Sequence, residues 1–289
     1  MVRDSDSSVA TRKMSISQYA LKDLLHDSLL SSPAVSVRTD DLVTEATNLL
    51  PHHLESFTDS LVVVQDERPV GVVGGIEILD GVLKTPNYEF FGKTKIKDIM
   101  SKKLVILTSG TTLGYILNTW RQRGRAFAIV PNAYHGYSAI SARKLLEIGM
   151  RCSTKLTVGD ISRKNTATFG KNQNVRDVIQ SMFKNKTRKI ILEGTSEFIS
   201  DRIIIQKISR ELDCLKHTND FLEMKAISFQ LDKAKMVSNN ITLQEGCKIL
   251  YGMQSPYLLL PEGVITPWDV IMNLDSQDMK WKVEPSKSA

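Results

Sequence analysis

The sequence predicts an α/β protein built from four tandem β-α-β-β-α units. The first observation is the order of the apolar segments, in which a strand, a helix, two strands and a closing helix recur four times. The second is the spacing of the residue before each closing helix, which recurs at intervals of 67, 59 and 66 residues. These residues are Gly74, Ser141, Ser200 and Thr266. A repeat with this period indicates a tandem array.

The five elements of each unit follow from apolar spacing and turn signals. In the first unit they span residues 33–37, 42–50, 60–64, 71–73 and 76–83. In the second unit they span 104–107, 113–121, 126–130, 137–140 and 142–148. In the third unit they are a strand near 167, then 175–183, 189–192, 197–199 and a helix from 201. In the fourth unit they span 235–237, 243–251, 257–260, 263–265 and 267–274. Residues 84–93 and 213–220 are predicted connectors.

The last strand and helix of the fourth unit meet in Gly263-Val-Ile-Thr-Pro-Trp-Asp269. Thr266 stands at the N-cap position and Pro267 at the first helical position, where a missing N–H costs nothing. One interpretation is a capping box, in which Thr266 and Asp269 satisfy orphan amides. The other is a phosphate site formed by the helix N-terminus, with Asp269 binding the hydroxyls of a ribose. The residues of this stretch alone do not decide between the two.

The repeat and its motifs resemble the cystathionine-β-synthase (CBS) domain. The lead-in Ile96-Lys-Asp-Ile-Met100 and the closing Gly263 to Asp269 stretch match its pattern closely, whereas the other closing segments match it more loosely. The resemblance covers residues 19–274. It implies that the CBS units pair into Bateman modules, here residues 15–150 and 151–276, between a disordered tail (1–14) and a polar tail (277–289). Two such modules form a disc, either within one chain or in a homodimer.

The resemblance also implies a ligand, since paired CBS domains bind AMP, ADP, ATP or sometimes S-adenosylmethionine in their clefts. Carried over to the fourth unit, Thr266 contacts phosphate and Asp269 the ribose, while Arg202 of the third unit supplies a counter-charge. The adenine is expected between two walls, formed by Met236, Val237, Ser238, Pro256 and Tyr257. The expected function is a non-catalytic, regulatory sensor that changes its interaction with a partner protein.

The other three units depart from this pattern. In the first unit Gly74 lacks a hydroxyl, although Glu77 could still reach a ribose. The second and third units keep Ser141 and Ser200, but Lys144 and Ile203 stand where the acid is expected. These copies are expected to be mainly structural.

A basic segment supports an alternative function. Residues 120–189 contain 15 Lys and Arg against three acids. The charges cluster at the same place in the second and third units, namely at Arg121, Arg123, Arg125, Lys184, Lys186, Arg188 and Lys189. Such a cluster is typical of a surface that binds RNA or a ribosome, with the CBS array as a scaffold. The competing interpretation is that some of these charges serve the nucleotide clefts.

Composition excludes several other classes of protein. No apolar run approaches the roughly 18 residues that cross a bilayer, and the polar N-terminus holds no signal peptide, so a cytoplasmic protein is expected. The three cysteines and five histidines show no metal-ligand spacing, and no metal is expected. No nucleophile or acid–base set is visible, which favours a binding protein over an enzyme.

Overall fold

A computed structural model describes residues 14–52, 59–134, 136–217 and 220–281. The N-terminal tail up to residue 13, residues 282–289 of the polar tail, and His53 and His135 lie outside the described residues. In the described part of the chain, no helix is long and apolar enough to cross a membrane.

The first two units follow short N-terminal helices, α1 (Leu21–Leu24) and α2 (Asp27–Leu30). The first unit consists of β1 (Ser36–Arg38), α3 (Val43–His52), β2 (Ser60–Gln65), β3 (Arg68–Gly74) and α4 (Gly75–Lys84). Between the units lie α5 (Tyr88–Lys93) and the lead-in helix α6 (Ile96–Ile99). The second unit consists of α7 (Leu113–Arg123), β4 (Phe127–Asn132), β5 (Gly136–Ser141) and α8 (Ala142–Arg151).

The last two units repeat this order. The third contains β6 (Cys152–Ser153), α9 (Val158–Ile161), β7 (Thr168–Phe169), α10 (Val175–Lys184), β8 (Lys189–Leu192), β9 (Glu197–Ser200) and α11 (Asp201–Glu211). The fourth contains β10 (Asp232–Lys233), β11 (Lys235–Met236), α12 (Leu243–Gly252), β12 (Leu258–Leu260), β13 (Gly263–Ile265) and α13 (Pro267–Ile271), followed by β14 (Lys280–Trp281). The predicted α/β fold with four repeats is therefore confirmed.

Three local predictions were wrong. The strand predicted at 104–107 is reduced to one parallel bridge, between Ile106 and Ile129. The connector predicted at 84–93 contains α5, whose N-terminus is capped by the Asn87 side chain. The connector predicted at 213–220 contains the 3-10 helix Cys214–His217. Each misjudged segment is short, and its conformation depends on packing against neighbouring elements more than on local periodicity.

The sheets and helices join the units in two different combinations. One cluster of buried side chains lies between the sheets of the first and second units and includes Val72 and Ile129. A second cluster joins the sheets of the third and fourth units and includes Phe198 and Tyr257. Helices make the other contacts, with α11 on α3 between the first and third units and α12 on α8 between the second and fourth. The four units of one chain thus form a closed arrangement.

Within each pair of units whose sheets pack together, a segment of one unit forms a β-bridge to the edge of the other unit's sheet. Ser101, which follows the lead-in of the second unit, bridges to Val72 of the first. Likewise Arg163, which follows the lead-in of the third unit, bridges to Val264 of the fourth. This pairing covers strand edges that would otherwise be open. It also brings Arg163 beside the stretch from Gly263 to Asp269.

The last described residues return to the middle of the chain. Lys280 and Trp281 of β14 pair antiparallel with Ser153 and Cys152 of β6. The Trp281 ring lies over the Arg151 guanidinium, 4.8 Å from ring centroid to Cζ. The C-terminal strand therefore fastens the segment that joins the second unit to the third.

Candidate functional site

A cavity of about 670 Å³ lies where the four units meet, and we call it the hub cavity. Every unit lines it with two segments, the start of the strand after its first helix and the start of its closing helix. These segments lie at 59–60 and 74–77, 124–127 and 142–143, 187–189 and 200–202, and 254–256 and 266–268. Arg163 and the end of α10 complete the wall.

Strand register explains why these segments converge. The two strands in each unit pair antiparallel, so the start of the first lies opposite the end of the second. Ser60 therefore lies opposite Gly74, Phe127 opposite Ser141, and Lys189 opposite Ser200. The four strand pairs place their equivalent ends at a common centre.

The hub cavity is rich in cationic side chains, which we call the hub cations. They are Arg125, Arg143, Arg163, Lys186, Arg188, Lys189 and Arg202. Three carboxylates also line the wall, those of Asp59, Glu77 and Asp201. Counting Asp269, which pairs with Arg163, the site holds seven cationic groups against four carboxylates when Lys189 is protonated, an excess of three. Such an excess attracts anions.

One ionic network joins the first and third units. Asp59 accepts a hydrogen bond from Arg202 Nη2 at 2.7 Å and lies 3.7 Å from Arg188 Nη1. Arg188 Nε donates to Asp201 Oδ2 at 2.7 Å. The network holds two guanidinium groups at the cavity wall. Burial lowers the pKa of Arg202. The pKa of Arg188 is subject to the same effect of burial but is raised on balance by Asp201 and Asp59.

Arg163 occupies the two groups that the sequence predicted for a nucleotide. Its Nη2 donates to Thr266 Oγ1 and to Asp269 Oδ2, both at 3.0 Å, and its Nε lies 2.6 Å from Asp269 Oδ1. Asp269 Oδ2 also accepts from the Thr266 N–H at 2.8 Å and the Thr266 hydroxyl at 2.7 Å. The carboxylate of the predicted capping box is thus saturated by groups of this chain.

The acid of the first unit is also paired. Glu77 accepts from the Gly74 N–H at 3.0 Å and forms an ion pair with Arg125 of the second unit. Its side chain is only 10% exposed.

Arg143, at the start of α8, donates to the carbonyl groups of Tyr251, Met253 and Gln254 at the end of α12. Arg143 therefore ties the second unit to the fourth.

Lys189 differs from the arginines because its pKa lies near neutral pH. Its Nζ donates to the Pro256 carbonyl at 2.5 Å and lies 5.2 Å from the Tyr257 ring centroid. Burial, together with the positive charges of Arg188 and Arg202, lowers its pKa from 10.5 to about 7. An anion in the hub cavity would favour its protonated form.

The residues predicted beside the adenine are separated in the structure. Pro256 lines the hub cavity, whereas Met236, Val237 and Ser238 are not part of its wall. Met236 is 73% exposed. The Tyr257 side chain is 1% exposed and packs edge-on against Phe198, with 4.9 Å between ring centroids. The structure thus places Tyr257 in the core between two sheets, and its role beside a base stays a prediction.

The predicted sites in the second and third units have no acid at the third position after the N-cap, where Lys144 and Ile203 stand. Ser200 caps α11 by accepting from the Ile203 N–H at 3.2 Å, and it lines the hub cavity. Ser141 is buried at the start of α8. Lys144 is 1% exposed, and its Nζ donates to the carbonyls of Ala139 at 2.5 Å and Leu29 at 3.3 Å. Burial lowers the pKa of Lys144 to about 8.

The basic segment predicted for RNA is divided by the fold. Its members Arg125, Lys186, Arg188 and Lys189 line the hub cavity. Arg121 instead forms an ion pair with Asp275 at 2.8 Å, and this carboxylate raises the pKa of Arg121 although burial acts in the opposite direction. Arg123 and Lys184 are exposed outside the cavity. The larger part of the cluster therefore lines the cavity, and its role in binding a nucleotide stays a prediction.

Sequence reasoning missed four residues of the site, Asp59, Arg143, Arg163 and Asp201. Asp201 and Arg143 carried a signal, because each lies one or two positions after the N-cap of a closing helix, like Pro267 and Trp268. No local sequence pattern indicated that Asp59 or Arg163 belongs to the site. Within the described residues, no group of three or more His, Cys, Asp or Glu side chains is placed to hold a metal.

The fold is that of a tandem CBS-domain protein. The structure is similar to protein MJ1225 of Methanocaldococcus jannaschii, proposed as an archaeal homologue of γ-AMPK, with 14% identity, a TM-score of 0.71, and coverage of 85% of this chain and 97% of that one. It is also similar to an uncharacterised conserved protein of Pyrococcus horikoshii, with 10% identity, a TM-score of 0.52, and coverage of 88% and 99%.

A CBS-domain protein of Agrobacterium tumefaciens, ATU1752, matches 45% of this chain and 93% of its own, with 17% identity and a TM-score of 0.39. No model of a known protein family matches the sequence, and no curated protein matches it. At these identities the solved structures establish the fold.

Proposed function

We propose that the chain is a non-catalytic sensor that binds an adenine nucleotide with its phosphates in the hub cavity. The observation that carries this proposal is the convergence of cationic side chains from the second and third units onto one cavity that all four units line. Arginine is well suited to phosphate because its planar guanidinium donates two parallel hydrogen bonds. The likeness over most of the chain to a proposed homologue of γ-AMPK supports a regulatory role.

The size and the apolar part of the wall fit a nucleotide. Small-molecule pockets span about 300–1,000 Å³, and the hub cavity falls in this range with about 670 Å³. Phe127, Phe183 and Trp268 line it beside the hub cations. Aromatic side chains of this kind can stack on a base, while the cations neutralise the phosphates.

Binding at this place gives a simple means of regulation. An anionic ligand in the hub cavity would favour the arrangement in which the cations of the second and third units lie closest together. A change in the population of that arrangement would alter a surface recognised by a partner protein. The partner, a homodimeric assembly and the division into modules at residues 150 and 151 remain predictions.

The placement of the basic residues favours the nucleotide over RNA. RNA requires an exposed basic surface, because each phosphate contact must be made along an extended backbone. Arg188 and Lys189 instead line the hub cavity, and Arg121 is paired with Asp275. The RNA-binding alternative receives no support from this arrangement.

Thermal unfolding with and without AMP, ADP, ATP and S-adenosylmethionine tests the proposal. A ligand that binds only the folded state, and is present at a concentration of 100 times its Kd, adds about 2.7 kcal/mol of stability and raises Tm. We expect a rise with at least one of these compounds. The absence of a shift with all four, at millimolar concentration and low salt, would contradict the function.

A further inference from the structure

The four positions at which a ribose-binding acid could stand are all unavailable. They are the equivalent positions three residues after each N-cap, occupied by Glu77, Lys144, Ile203 and Asp269. Two of them hold no acid. The other two hold carboxylates already bound by arginine, Glu77 by Arg125 and Asp269 by Arg163. No unit offers a free carboxylate at this position for sugar hydroxyls.

The Arg163 pair is the more complete of the two. Asp269 is only 7% exposed, and its two oxygens are engaged by Arg163 and Thr266. A neutral ribose would have to replace a guanidinium at a buried carboxylate. That exchange loses a charge-assisted hydrogen bond, which is stronger than a neutral one. Asp269 is therefore an anchor for Arg163 instead of a sugar ligand.

The hub cations remain for recognition, because a guanidinium or ammonium group that is paired within the chain still has further N–H groups to donate to phosphate. With Lys189 protonated, their excess over the carboxylates is three positive charges, and they line one continuous cavity. A monophosphate, with a charge of about −2 at most, leaves part of this excess uncompensated. A chain of three phosphates neutralises the whole excess and extends to more of these side chains than a monophosphate does. Lys186 is exposed at the wall, and no carboxylate in the described residues lies within ion-pair distance of it.

We propose that the hub cavity binds one linear polyphosphate per chain and recognises it through its phosphates, with little contribution from ribose. The ligand is either a nucleoside triphosphate or an inorganic polyphosphate of three or more units. The inference rests on the proposed function for the adenosine part, but the phosphate site itself does not depend on that part. It also gives the excess charge of the cavity a role in selecting triphosphates over monophosphates.

Isothermal titration calorimetry of the full chain with tripolyphosphate, ATP, AMP and adenosine tests this inference. We expect one site per chain for tripolyphosphate and ATP, with affinities within about fivefold of each other. We expect AMP to bind at least tenfold more weakly than ATP and adenosine to give no heat. Raising the salt concentration should weaken both polyphosphates in parallel, because phosphate binding displaces counterions.

Two matched pairs of variants locate the site. Lys186→Gln should weaken tripolyphosphate binding about three- to tenfold, whereas Lys184→Gln, two residues away and outside the cavity, should not. Likewise Arg125→Gln should weaken it while Arg123→Gln does not. Lys186 is exposed, so Lys186→Gln is expected to fold normally even if Arg125→Gln does not.

The outcomes separate this inference from the proposed function. Binding of adenosine or AMP as tightly as ATP, with no binding of tripolyphosphate, would overturn the inference and leave the nucleotide sensor standing. Binding of tripolyphosphate without ATP would support the inference and overturn the sensor. Binding of neither, or equal effects of the Lys184 and Lys186 variants, would overturn the phosphate site.

Discussion

The Arg163 guanidinium holds the Asp269 carboxylate, with 2.6 Å between Nε and Oδ1 and 3.0 Å between Nη2 and Oδ2. The two residues are 106 positions apart and come from different units. The contact follows from the bridge between Arg163 and Val264, which places the third-unit segment along β13. It converts a motif typical of ribose binding into an internal ion pair.

We expect Arg163→Gln to destabilise the fold by about 1–3 kcal/mol, because a buried carboxylate loses a charged partner. Asp269→Asn should cost a similar amount. Since both changes remove the same interaction, the double variant should cost less than the sum of the two. Urea unfolding of the four proteins measures the coupling. Additive effects would show that the pair contributes nothing by itself.

Binding of ATP or tripolyphosphate should weaken as pH rises above 7. The pKa of Lys189 is lowered to about 7 by burial and by Arg188 and Arg202. A bound polyphosphate raises that pKa, so binding takes up a proton. The affinity is therefore highest below pH 7 and falls by up to tenfold per pH unit until the pKa of the complex is passed. Titration calorimetry between pH 6 and 9 measures it.

The control for this pH dependence is Lys189→Met, which cannot titrate. Asp59 and Asp201 also act on Lys189, with the opposite sign to the two arginines. The variant should bind more weakly at pH 6 and lose the decline between pH 7 and 9. An unchanged decline in Lys189→Met would assign the titration to another group.

Lys144 should make the stability of the fold depend on pH. Burial lowers its pKa to about 8 from 10.5, so the unfolded chain binds more protons than the folded one between these values. Stability from this group is lowest below pH 8 and rises as pH increases to 10.5, by about 3 kcal/mol. The difference in unfolding free energy between the wild type and Lys144→Met isolates this contribution. A difference that stays constant from pH 7.5 to 10 would contradict it.

Gly75→Ala should disturb the contact between the first and third units. A Cβ at Gly75 would lie 1.9 Å from Asp201 Oδ2. The carboxylate would have to move away from Arg188, which it now holds at 2.7 Å. We expect a loss of about 1–3 kcal/mol in urea unfolding and weaker polyphosphate binding. Gly252→Ala is the control, because no atom lies within 4 Å of its added methyl group, and it should have little effect.

Local pattern was sufficient to predict most of the fold. The repeat spacing and the apolar periodicity defined the strands and helices around Gly74, Ser141, Ser200 and Thr266, since each depends on residues close in sequence. The strand at 104–107 failed because its single bridge to β4 is a tertiary feature. Packing between units decides such short segments.

The site was predictable only in part. The positions of Thr266 and Asp269 followed from the motif, but their occupation by Arg163 depends on pairing between units. The basic residues were identified as a group, yet their location depends on strand register, which places the start of β8, with Arg188 and Lys189, at the cavity, while Lys184 lies outside it. Charge composition predicts that the protein binds an anion, but it does not predict which surface binds it.

Because β14 pairs with β6, Trp281 can serve as an intrinsic fluorescent reporter. Trp281 rests on Arg151 at the junction between the second and third units, where any rearrangement of the units must change the local geometry. Indole emission responds to a nearby guanidinium and to water. With Trp120 and Trp268 replaced by Phe, the emission of Trp281 would report movement at this junction without an added label.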